Sequence, residues 1–487
     1  MGVTYGVMSA IYPFWIAGKP ATSDVIADVI HPGDGKVVGQ YYVPNAAQVE
    51  EAVAAAWESR HAARRTTAAQ RAEALMHVSK RLTERAEEIA QLILDENGKP
   101  LMWARAESGR AGLVFRWAAE EVRRFSGELQ RLDTEAATAG RMAIIRRFPH
   151  GPVLGISPFN FPMNLVAHKV APAIAVGAPI IVKPAPSTPL SALLLGEILA
   201  ETDLPAGSWS VLPVGNEAAP GLVADVRLPV VSFTGSDKVG FEIQKAVPSK
   251  HITLELGGNA AAVVLEDWNS EKDMTWAASR IATFANYQAG QSCISVQRVL
   301  IHDSIFEEMK DRIVSAVSAL PNGDPRDDKT VVGPMINEAA AIRVEEWVNE
   351  AVARGAKVLT GGKRNGSYYE PTVLADVPVD AKVSCNEVFG PVMLVNSIAS
   401  TQEAFDIVND SPFGLQAGVF THNVQTAFLA HTELEVGGVI IGDVPTFRSD
   451  QMPYGGVKAS GVGKEGLLHA MRDLTHERIL VLSDLAL

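Results

Sequence analysis

Residues 151–183 read GPVLGISPFNFPMNLVAHKVAPAIAVGAPIIVK, which is a short apolar run, a turn, a helical period and a second apolar run. The alternation continues in WSVLPVG (209–215), LPVVSFTGS (228–236) and HITLELGG (251–258), with helical segments at 189–204 and 237–247. Because this alternation is typical of parallel sheets covered by helices, we predict an α/β fold with a doubly wound, Rossmann-like layer. Ligands of such a layer bind at the carboxyl ends of its strands.

The rest of the chain falls into three further parts. Residues 45–127 have helical spacing and predict long surface helices, and a second α/β unit follows at 256–459. Residues 128–148 predict two strands around a turn of small residues, a projecting hairpin that needs a partner edge. We expect the terminal run ERILVLSDLAL (477–487) to pair with such a hairpin of a neighbouring subunit.

Composition restricts the class of protein. The chain has 487 residues, is 47% hydrophobic and carries a net charge of −13, which argues against a nucleic-acid partner or an anionic membrane surface. Its longest apolar run, 161–182, contains Asn164, His168 and Lys169 and does not predict a membrane span. Two cysteines give no disulfide framework and no secretory signal opens the chain, so we expect a cytoplasmic protein.

One of those cysteines, Cys293, lies in AGQSCISVQR (289–298) among polar and small residues that leave room for a substrate. Taken alone, a single cysteine is more often a packed residue than a nucleophile, and Cys385 has no stronger interpretation. Thiolate attack on a carbonyl also needs a base and oxyanion donors. Glu255 at a strand end and Asn160 on a turn in SPFNFP are candidates, although a surface carboxylate and a helix cap are the simpler interpretations.

The segment GVGKEG (461–466) fits the dinucleotide fingerprint G-x-G-x-x-G letter for letter. No clear strand precedes it and too little chain follows it for a βαβ unit. We therefore do not predict a phosphate-binding loop there.

Seven ordered motifs carry a family resemblance: SPFNFP, KPAPSTP, SFTGS, LELGG, GQSC, EVFGP and PYGGVKASGVGKEG. In this order they resemble the aldehyde dehydrogenase superfamily along essentially the whole chain, most closely the lactaldehyde, phosphonoacetaldehyde and non-phosphorylating glyceraldehyde-3-phosphate dehydrogenases. The resemblance implies an NAD(P)-binding domain (1–127 and 149–255, with 460–473), a catalytic domain (256–459) and an oligomerisation element (128–148 and 474–487). It also implies a homodimer or a homotetramer.

The resemblance assigns the catalytic roles residue by residue. Cys293 matches the nucleophile, which forms a thiohemiacetal and then a thioester, and Glu255 matches the base that activates water. Asn160 matches the amide that forms the oxyanion hole with the backbone N–H of Cys293. Lys169 and Glu465 match residues of a proton relay. No metal is implied.

The same resemblance implies that the chain binds NAD or NADP and indicates which residues contact the cofactor. The matching cofactor residues are Phe159, Lys183, Thr234, Gly235, Ser236, Glu387 and Phe389. NAD-preferring relatives often carry Glu three residues after the lysine, whereas this chain has Pro186 there. Since nothing acidic at that position repels a 2′-phosphate, we predict dual use or a preference for NADP.

The predicted substrate is a small polar aldehyde, hydroxylated or anionic. Asn164 and His168 replace large apolar residues of relatives that act on fatty or aromatic aldehydes, and Arg448, Arg110 and Tyr454 are further pocket candidates. Arginine suits a carboxylate or phosphate. The alternative for Arg448 is an internal ion pair with Asp450 or a similar residue.

Two other functions fit the motifs. A CoA-acylating dehydrogenase is the nearest rival, although such enzymes characteristically lack the water-activating glutamate. A catalytically silent binding or structural protein on the same scaffold is the second, and the set of Cys293, Glu255, Asn160 and Lys183 argues against it.

Overall fold

The computed structural model describes residues 11–484. The first ten residues of the predicted cofactor domain and the last three of the predicted terminal strand lie outside the described residues. The helices are α1 (Ala46–Arg65), α2 (Ala68–Glu84), α3 (Ala86–Asn97), α4 (Leu101–Val122), α5 (Asn164–Val176), α6 (Leu190–Leu199), α7 (Ala219–Ala224), α8 (Asp237–Ala246), α9 (Glu271–Asn286), α10 (Phe306–Ser318), α11 (Glu338–Ala353), α12 (Lys382–Cys385), α13 (Thr401–Asn409), α14 (Val424–Glu433) and α15 (Leu467–Asp473).

The strands, in chain order, are β1 (Ile11–Tyr12), β2 (Phe14–Ile16), β3 (Lys19–Ala21), β4 (Ile26–Ile30), β5 (Val37–Tyr42), β6 (Glu128–Arg131), β7 (Met142–Pro149), β8 (Val153–Ile156), β9 (Ile180–Lys183), β10 (Trp209–Val211), β11 (Val230–Thr234), β12 (His251–Glu255), β13 (Ala261–Val264), β14 (Arg298–His302), β15 (Lys357–Thr360), β16 (Arg364–Asn365), β17 (Tyr368–Tyr369), β18 (Thr372–Ala375), β19 (Val392–Ile398), β20 (Phe413–Gly414), β21 (Gln416–Phe420), β22 (Gly438–Ile441), β23 (Val457–Lys458), β24 (Gly461–Val462) and β25 (Thr475–Leu482).

The first large sheet has the order β24-β12-β11-β8-β9-β10-β2-β3. Its five central strands, β12 to β10, run parallel, and antiparallel strands close both edges. Lys183, Thr234 and Glu255 are the last residues of β9, β11 and β12, so they stand at one edge of the sheet. The predicted α/β layer is therefore confirmed, with its polar residues at the carboxyl ends of the strands.

Capping residues fix the ends of several helices that cover this sheet. Asn45 and Thr67 form capping boxes at the starts of α1 and α2, and Gly177 ends α5 in the left-handed conformation that glycine favours. The predicted surface helices also bury one face, since Leu75 and Phe115 lie fully inside the core.

The second large sheet has the order β15-β18-β19-β14-β13-β21-β22, parallel except for β15. Its strands lie between residues 261 and 441. Helices α9 and α10 pack on it through apolar residues such as Ile281 and Ile313. This is the second α/β unit that the sequence predicts.

The third sheet corrects one prediction. Its order is β25-β7-β6, and β25 pairs with β7 of the same chain from Thr475 opposite Pro149 to Leu482 opposite Met142. The expected pairing of the terminal strand with a neighbouring subunit is therefore wrong. The chain leaves α15 beside β7, where the N–H of His150 donates to the carbonyl of Leu474 at 3.1 Å, so the nearest free edge belongs to its own hairpin.

Periodicity did not predict the short strands before residue 45. There β1, β5 and β4 form a small sheet, and β2 and β3 extend the first large sheet. From the distribution of strands we propose the domain boundaries given above for the described residues. None of the helices between residues 11 and 484 is both long and apolar enough to cross a membrane.

Candidate active site

A cavity of about 880 Å³ joins residues of the first and second α/β units. Thr234 and Glu255 line it from the ends of β11 and β12, and Cys293 and Glu387 line it from the second unit. The motifs SPFNFP, SFTGS, LELGG, GQSC and EVFGP thus meet in one place. The cavity is the candidate active site.

A strained turn presents Cys293 to this cavity. Gln288 and Ala289 adopt φ values of 52° and 53° and Gly290 follows at 68°, a run of left-handed residues that costs free energy and is found mostly at functional sites. A side chain at Gly290 would collide with the carbonyl of Gly390. Burial raises the pKa of the Cys293 thiol to about 12, so the thiol is protonated at neutral pH and needs activation.

Asn160 lies against the same turn. Its Nδ2 donates to the carbonyl of Gln291 at 3.0 Å, and Lys99 Nζ holds the backbone carbonyl of Asn160 at 2.8 Å. A side-chain amide carries two N–H groups, so one remains for a ligand oxygen. Only Ser292 separates Gln291 from Cys293, which places the amide on the side of the nucleophile.

Among the buried carboxylates that line the cavity, Glu255 and Glu465 have different surroundings. Both oxygens of Glu255 are buried without a hydrogen-bond partner in the described chain, and burial raises its pKa well above the ordinary value. Glu465 is held by Lys169 Nζ at 3.5 Å and by Arg448 Nη2 at 3.1 Å. Burial opposes its ionisation, but these cations outweigh burial and hold its pKa at about 2.

Lys169 stands behind Glu465 and does not line the cavity. Its Nζ donates to Ser232 Oγ at 3.0 Å and to Thr234 Oγ1 at 2.7 Å, and burial lowers its pKa. Lys169 therefore contacts Glu465, which lines the same cavity as Glu255.

The predicted substrate residues divide into two groups. Arg110, Arg448, Asn164 and Tyr454 line the cavity. His168 does not, and its assignment to the cavity is wrong, because its Nε2 bonds Asp450 Oδ1 at 2.9 Å on a buried face of α5.

For Arg448 the structure shows the alternative left open above, an internal ion pair, with the carboxylate of Glu465 in place of that of Asp450. Arg110 makes the pair with Asp450, through Nη2 at 2.7 Å and Nε at 3.1 Å, whereas Arg448 pairs with Glu465. The Arg448 guanidinium carbon Cζ lies over the Tyr454 ring, 3.7 Å from its centroid. Tyr454 in turn places its hydroxyl 2.9 Å from Sγ of Cys293.

The predicted cofactor residues form a second part of the site. Phe159, Thr234, Gly235, Ser236, Glu387 and Phe389 line the cavity. Ser236 caps α8, whose amino end favours anions, and the rings of Phe159 and Phe389 meet edge to face at 5.9 Å. Glu387 accepts a bond from the N–H of Gly258 at 2.9 Å.

Lys183 and Pro186 lie beyond the cavity. Lys183 Nζ donates to Asn216 Oδ1 at 3.0 Å, and burial lowers its pKa to about 8 although Glu217 opposes this shift. The carbonyl of Pro186 accepts from the Tyr41 hydroxyl at 3.3 Å. Lys183 therefore lies near one acidic side chain, that of Glu217.

A model described as the aldehyde dehydrogenase family matches residues 17–480. The chain belongs to the aldehyde dehydrogenase family. This aldehyde dehydrogenase is 40% identical over 474 residues to the 3-sulfolactaldehyde dehydrogenase of Priestia aryabhattai, which covers 97% of this chain and 98% of that protein.

Two solved structures resemble it over nearly its full length. Aldehyde dehydrogenase 21 of Physcomitrella patens, in complex with the reaction product succinate, has a TM-score of 0.96 and 42% identity, covering 99% of this chain and 100% of that one. The NADP-dependent glyceraldehyde-3-phosphate dehydrogenase of Bacillus halodurans C-125, complexed with NADP, has a TM-score of 0.93 and 31% identity, covering 98% and 100%. The predicted family, fold and enzyme class are confirmed, and these relatives agree with the predicted branch.

Several residues of this dehydrogenase site were not predicted. Asp450 was considered only as a partner of Arg448, and neither Asn216 nor Glu217 was singled out. Glu217 follows WSVLPVG, so its place beyond the carboxyl end of β10, next to β9, is the signal that identifies it. The contact of Tyr454 with Cys293 has no signal in the local sequence, because 161 residues separate the two.

Proposed function

We propose that this aldehyde dehydrogenase oxidises a short aldehyde with an anionic end, hydroxylated or not, to the carboxylic acid, with NAD or NADP. The observation that carries the proposal is the pair of guanidinium groups, Arg110 and Arg448, in the cavity that holds Cys293. Each guanidinium is paired with one carboxylate, Asp450 or Glu465, and a carboxylate, sulfonate or phosphate of a substrate can accept from the N–H groups that these pairs leave free, whereas an apolar aldehyde cannot.

Both arginines keep an N–H for a ligand. Within residues 11–484, the hydrogen bonds of Arg110 use Nε and Nη2, and those of Arg448 use Nη2. Nη1 of each is left without a protein acceptor. The carboxylates of Asp450 and Glu465 thus position the two guanidinium groups without occupying every donor.

The relatives support an anionic substrate. The name 3-sulfolactaldehyde describes a short aldehyde with a sulfonate and a hydroxyl group. The plant enzyme binds succinate as its reaction product, and the aldehyde that yields succinate is succinic semialdehyde. These two compounds share an anionic group a few atoms from the aldehyde carbon, which matches arginines near a nucleophile.

The site supports the following sequence of steps. The thiolate of Cys293 adds to the aldehyde carbon, while the Asn160 amide and the Cys293 N–H bind the oxygen that becomes negative. When bound, the nicotinamide cofactor supplies the acceptor for the hydride. Glu255 then takes a proton from the water that attacks the thioester, the carbon–sulfur bond breaks, and Glu465 with Lys169 carries the proton inward.

The residues present fit a nicotinamide cofactor. The carboxylate of Glu387 lies in the cavity to receive ribose hydroxyls, and the Gly235–Ser236 turn at the start of α8 suits the pyrophosphate. Pro186 and Lys183 support use of NADP. A wild-type preference for NAD of a hundredfold or more in kcat/KM would contradict dual use.

The rival functions are weaker. A CoA-acylating enzyme needs no water-activating base, whereas Glu255 stands in the cavity with both oxygens unpartnered. Acyl-CoA formed on addition of CoA would contradict the hydrolytic assignment. Stoichiometric alkylation of Cys293 with loss of NAD(P)H production excludes a silent binding protein.

Assembly and compartment follow from the resemblance and remain proposals. Leu129, Ile479 and Leu480 are exposed on the third sheet, and such a surface suits a homodimer or a homotetramer. Both cysteines are free thiols, which suits the cytoplasm.

The substrate proposal is tested with an aldehyde pair that differs only in charge. We expect kcat/KM for succinic semialdehyde to exceed that for its methyl ester by about 10- to 100-fold, because charge-assisted bonds to arginine contribute about 1.5–3 kcal/mol. Arg110→Met should remove most of this ratio, whereas Arg105→Met, on the exposed side of the same helix, should keep it. An ester as good as the acid, or hexanal as the best substrate with Arg448→Ala unaffected, would refute the proposal.

A further inference from the structure

The Tyr454 hydroxyl and the Cys293 sulfur form a hydrogen bond of 2.9 Å at the bottom of the cavity. Tyr454 was predicted as a substrate residue, yet its polar atom is directed at the nucleophile. Within the described chain its hydroxyl bonds no other group.

The tyrosine is fixed from three sides. Its backbone N–H donates to the carbonyl of Glu465 at 3.1 Å, and the N–H of Glu465 donates back at 2.7 Å. The Arg448 guanidinium covers one face of its ring, and Ile294 and Leu415 pack against it. A ring held in this way keeps its hydroxyl at one position relative to Sγ.

We propose that Tyr454 donates a hydrogen bond to the thiolate of Cys293, and so stabilises the nucleophile and orients its sulfur. In the ionisation step the S–H bond breaks and the proton leaves to water in the cavity, while Tyr454 keeps its own proton. The proposal rests on the function proposed above, because it concerns the same nucleophile.

The buried, partly acidic surroundings of Cys293 disfavour its thiolate, so a hydrogen-bond donor at the sulfur favours ionisation. Burial raises the pKa of the thiol, and the carboxylates of Glu387 and Glu255 oppose a thiolate, whereas Arg448 and the Tyr454 hydroxyl favour it. Burial also raises the pKa of Tyr454 well above 10, so its hydroxyl stays protonated and can donate wherever the enzyme works. The charged and titratable groups that face the sulfur are Tyr454, Tyr287, Glu387, Glu255 and Arg448.

The test is the alkylation of Cys293 by iodoacetamide without aldehyde or cofactor, followed by peptide mass spectrometry in Tyr454→Phe. Loss of a bond to a charged group raises a thiol pKa by about 1 to 2 pH units. A more basic thiolate is also more nucleophilic, with a Brønsted coefficient near 0.5. At fixed pH below the pKa, the alkylation rate should therefore fall about 3- to 10-fold.

Two controls are built into the chain. Cys385 is an exposed thiol that should react at an unchanged rate in the same samples. Tyr369→Phe removes a buried hydroxyl that has no hydrogen-bond partner among residues 11–484 and does not line the cavity, and it should leave the Cys293 rate unchanged. Replacement of Tyr454 by 3-fluorotyrosine, a more acidic phenol of nearly the same volume, should raise the Cys293 rate and covers the case in which Tyr454→Phe does not fold.

The possible results distinguish the proposal for Tyr454 from the function proposed for Cys293. A Cys293 rate within twofold of wild type in Tyr454→Phe, with a raised KM for the aldehyde, would overturn the proposal and return Tyr454 to the substrate. Fully alkylated wild-type enzyme that still forms NAD(P)H would refute the function proposed for Cys293 instead. A fall in rate confined to Cys293 supports the inference.

Discussion

Glu255 and Glu465 line one cavity as buried carboxylates, and only Glu465 is bound to cations. The environment raises the pKa of Glu255 and lowers that of Glu465. Carboxylates whose pKa values are pushed apart in this way take different roles. From this difference we propose that Glu255 is the base that takes up a proton, and that Glu465, ionised between Lys169 and Arg448, passes that proton on toward Lys169.

Glu255→Gln should stop turnover and spare the first hydride transfer. Without the base, thioester hydrolysis slows by about 10²- to 10⁴-fold, so stopped-flow mixing should show one burst of NAD(P)H per active subunit and little steady rate. Glu266→Gln, an exposed carboxylate, should behave as wild type. A variant that loses the burst together with the steady rate would show that Glu255 acts before hydride transfer.

The same substitution should make the protein more stable at neutral pH. The pKa of Glu255 in the folded state lies above its ordinary value of 4.5, so its favourable contribution to folding is complete below about pH 4.5 and is lost as pH rises through the folded-state pKa. Glutamine keeps the neutral form at every pH. Denaturant unfolding at pH 8 should show Glu255→Gln more stable by about 1 kcal/mol or more, with the difference gone near pH 4. Lower stability at pH 8 would mean that neighbouring cations outweigh burial.

Asn160→Ala should lower kcat by about 10²- to 10³-fold with a small change in KM, because the amide is used most where negative charge develops on the oxygen. Steady-state kinetics with the best aldehyde measures this. Asn269→Ala, an exposed amide on a loop, provides the control. A loss expressed only in KM would argue that Asn160 binds the ground state.

Glu217→Gln should shift cofactor choice toward NADP. Its carboxylate acts on both Lys183 and Tyr41, at the end of the sheet where the adenosine ribose is proposed to bind, and there it repels a 2′-phosphate. The ratio of kcat/KM for NADP to that for NAD should rise about 3- to 10-fold, since the interaction is partly screened by solvent. Glu242→Gln on the exposed face of α8 should leave the ratio unchanged. A ratio that also stays constant in Glu217→Gln would place the 2′-position elsewhere.

The local pattern of apolar runs and helical periods predicted much of the fold. The apolar runs that end at Lys183, Thr234 and Glu255 are strands with those residues at their last positions, and the parallel order brings the three to one edge. Strands β1 to β5 escaped prediction because no helices alternate with them, and that alternation identified the equally short strands β8, β9 and β10.

The remaining features depend on contacts between residues that are far apart in the sequence, and local patterns do not predict these contacts. The ion pair of Arg110 with Asp450 spans 340 positions, and no spacing rule links two such residues. Arg448 pairs with Glu465 because β24 and the turn after it place Glu465 beside α5. The terminal strand β25 pairs with β7 of its own chain because α15 ends beside β7. In each case the tertiary path of the chain decides between partners that the sequence leaves equivalent.

The central claim is that Cys293 carries the acyl group of a short anionic aldehyde. It is tested most directly by mixing Glu255→Gln with succinic semialdehyde and NADP, quenching in acid and mapping the peptides by mass spectrometry. The account predicts one succinyl group on the peptide that contains Cys293 and one NADPH per active subunit. NADPH formation with an unmodified Cys293, or with the acyl group on Cys385, would contradict it.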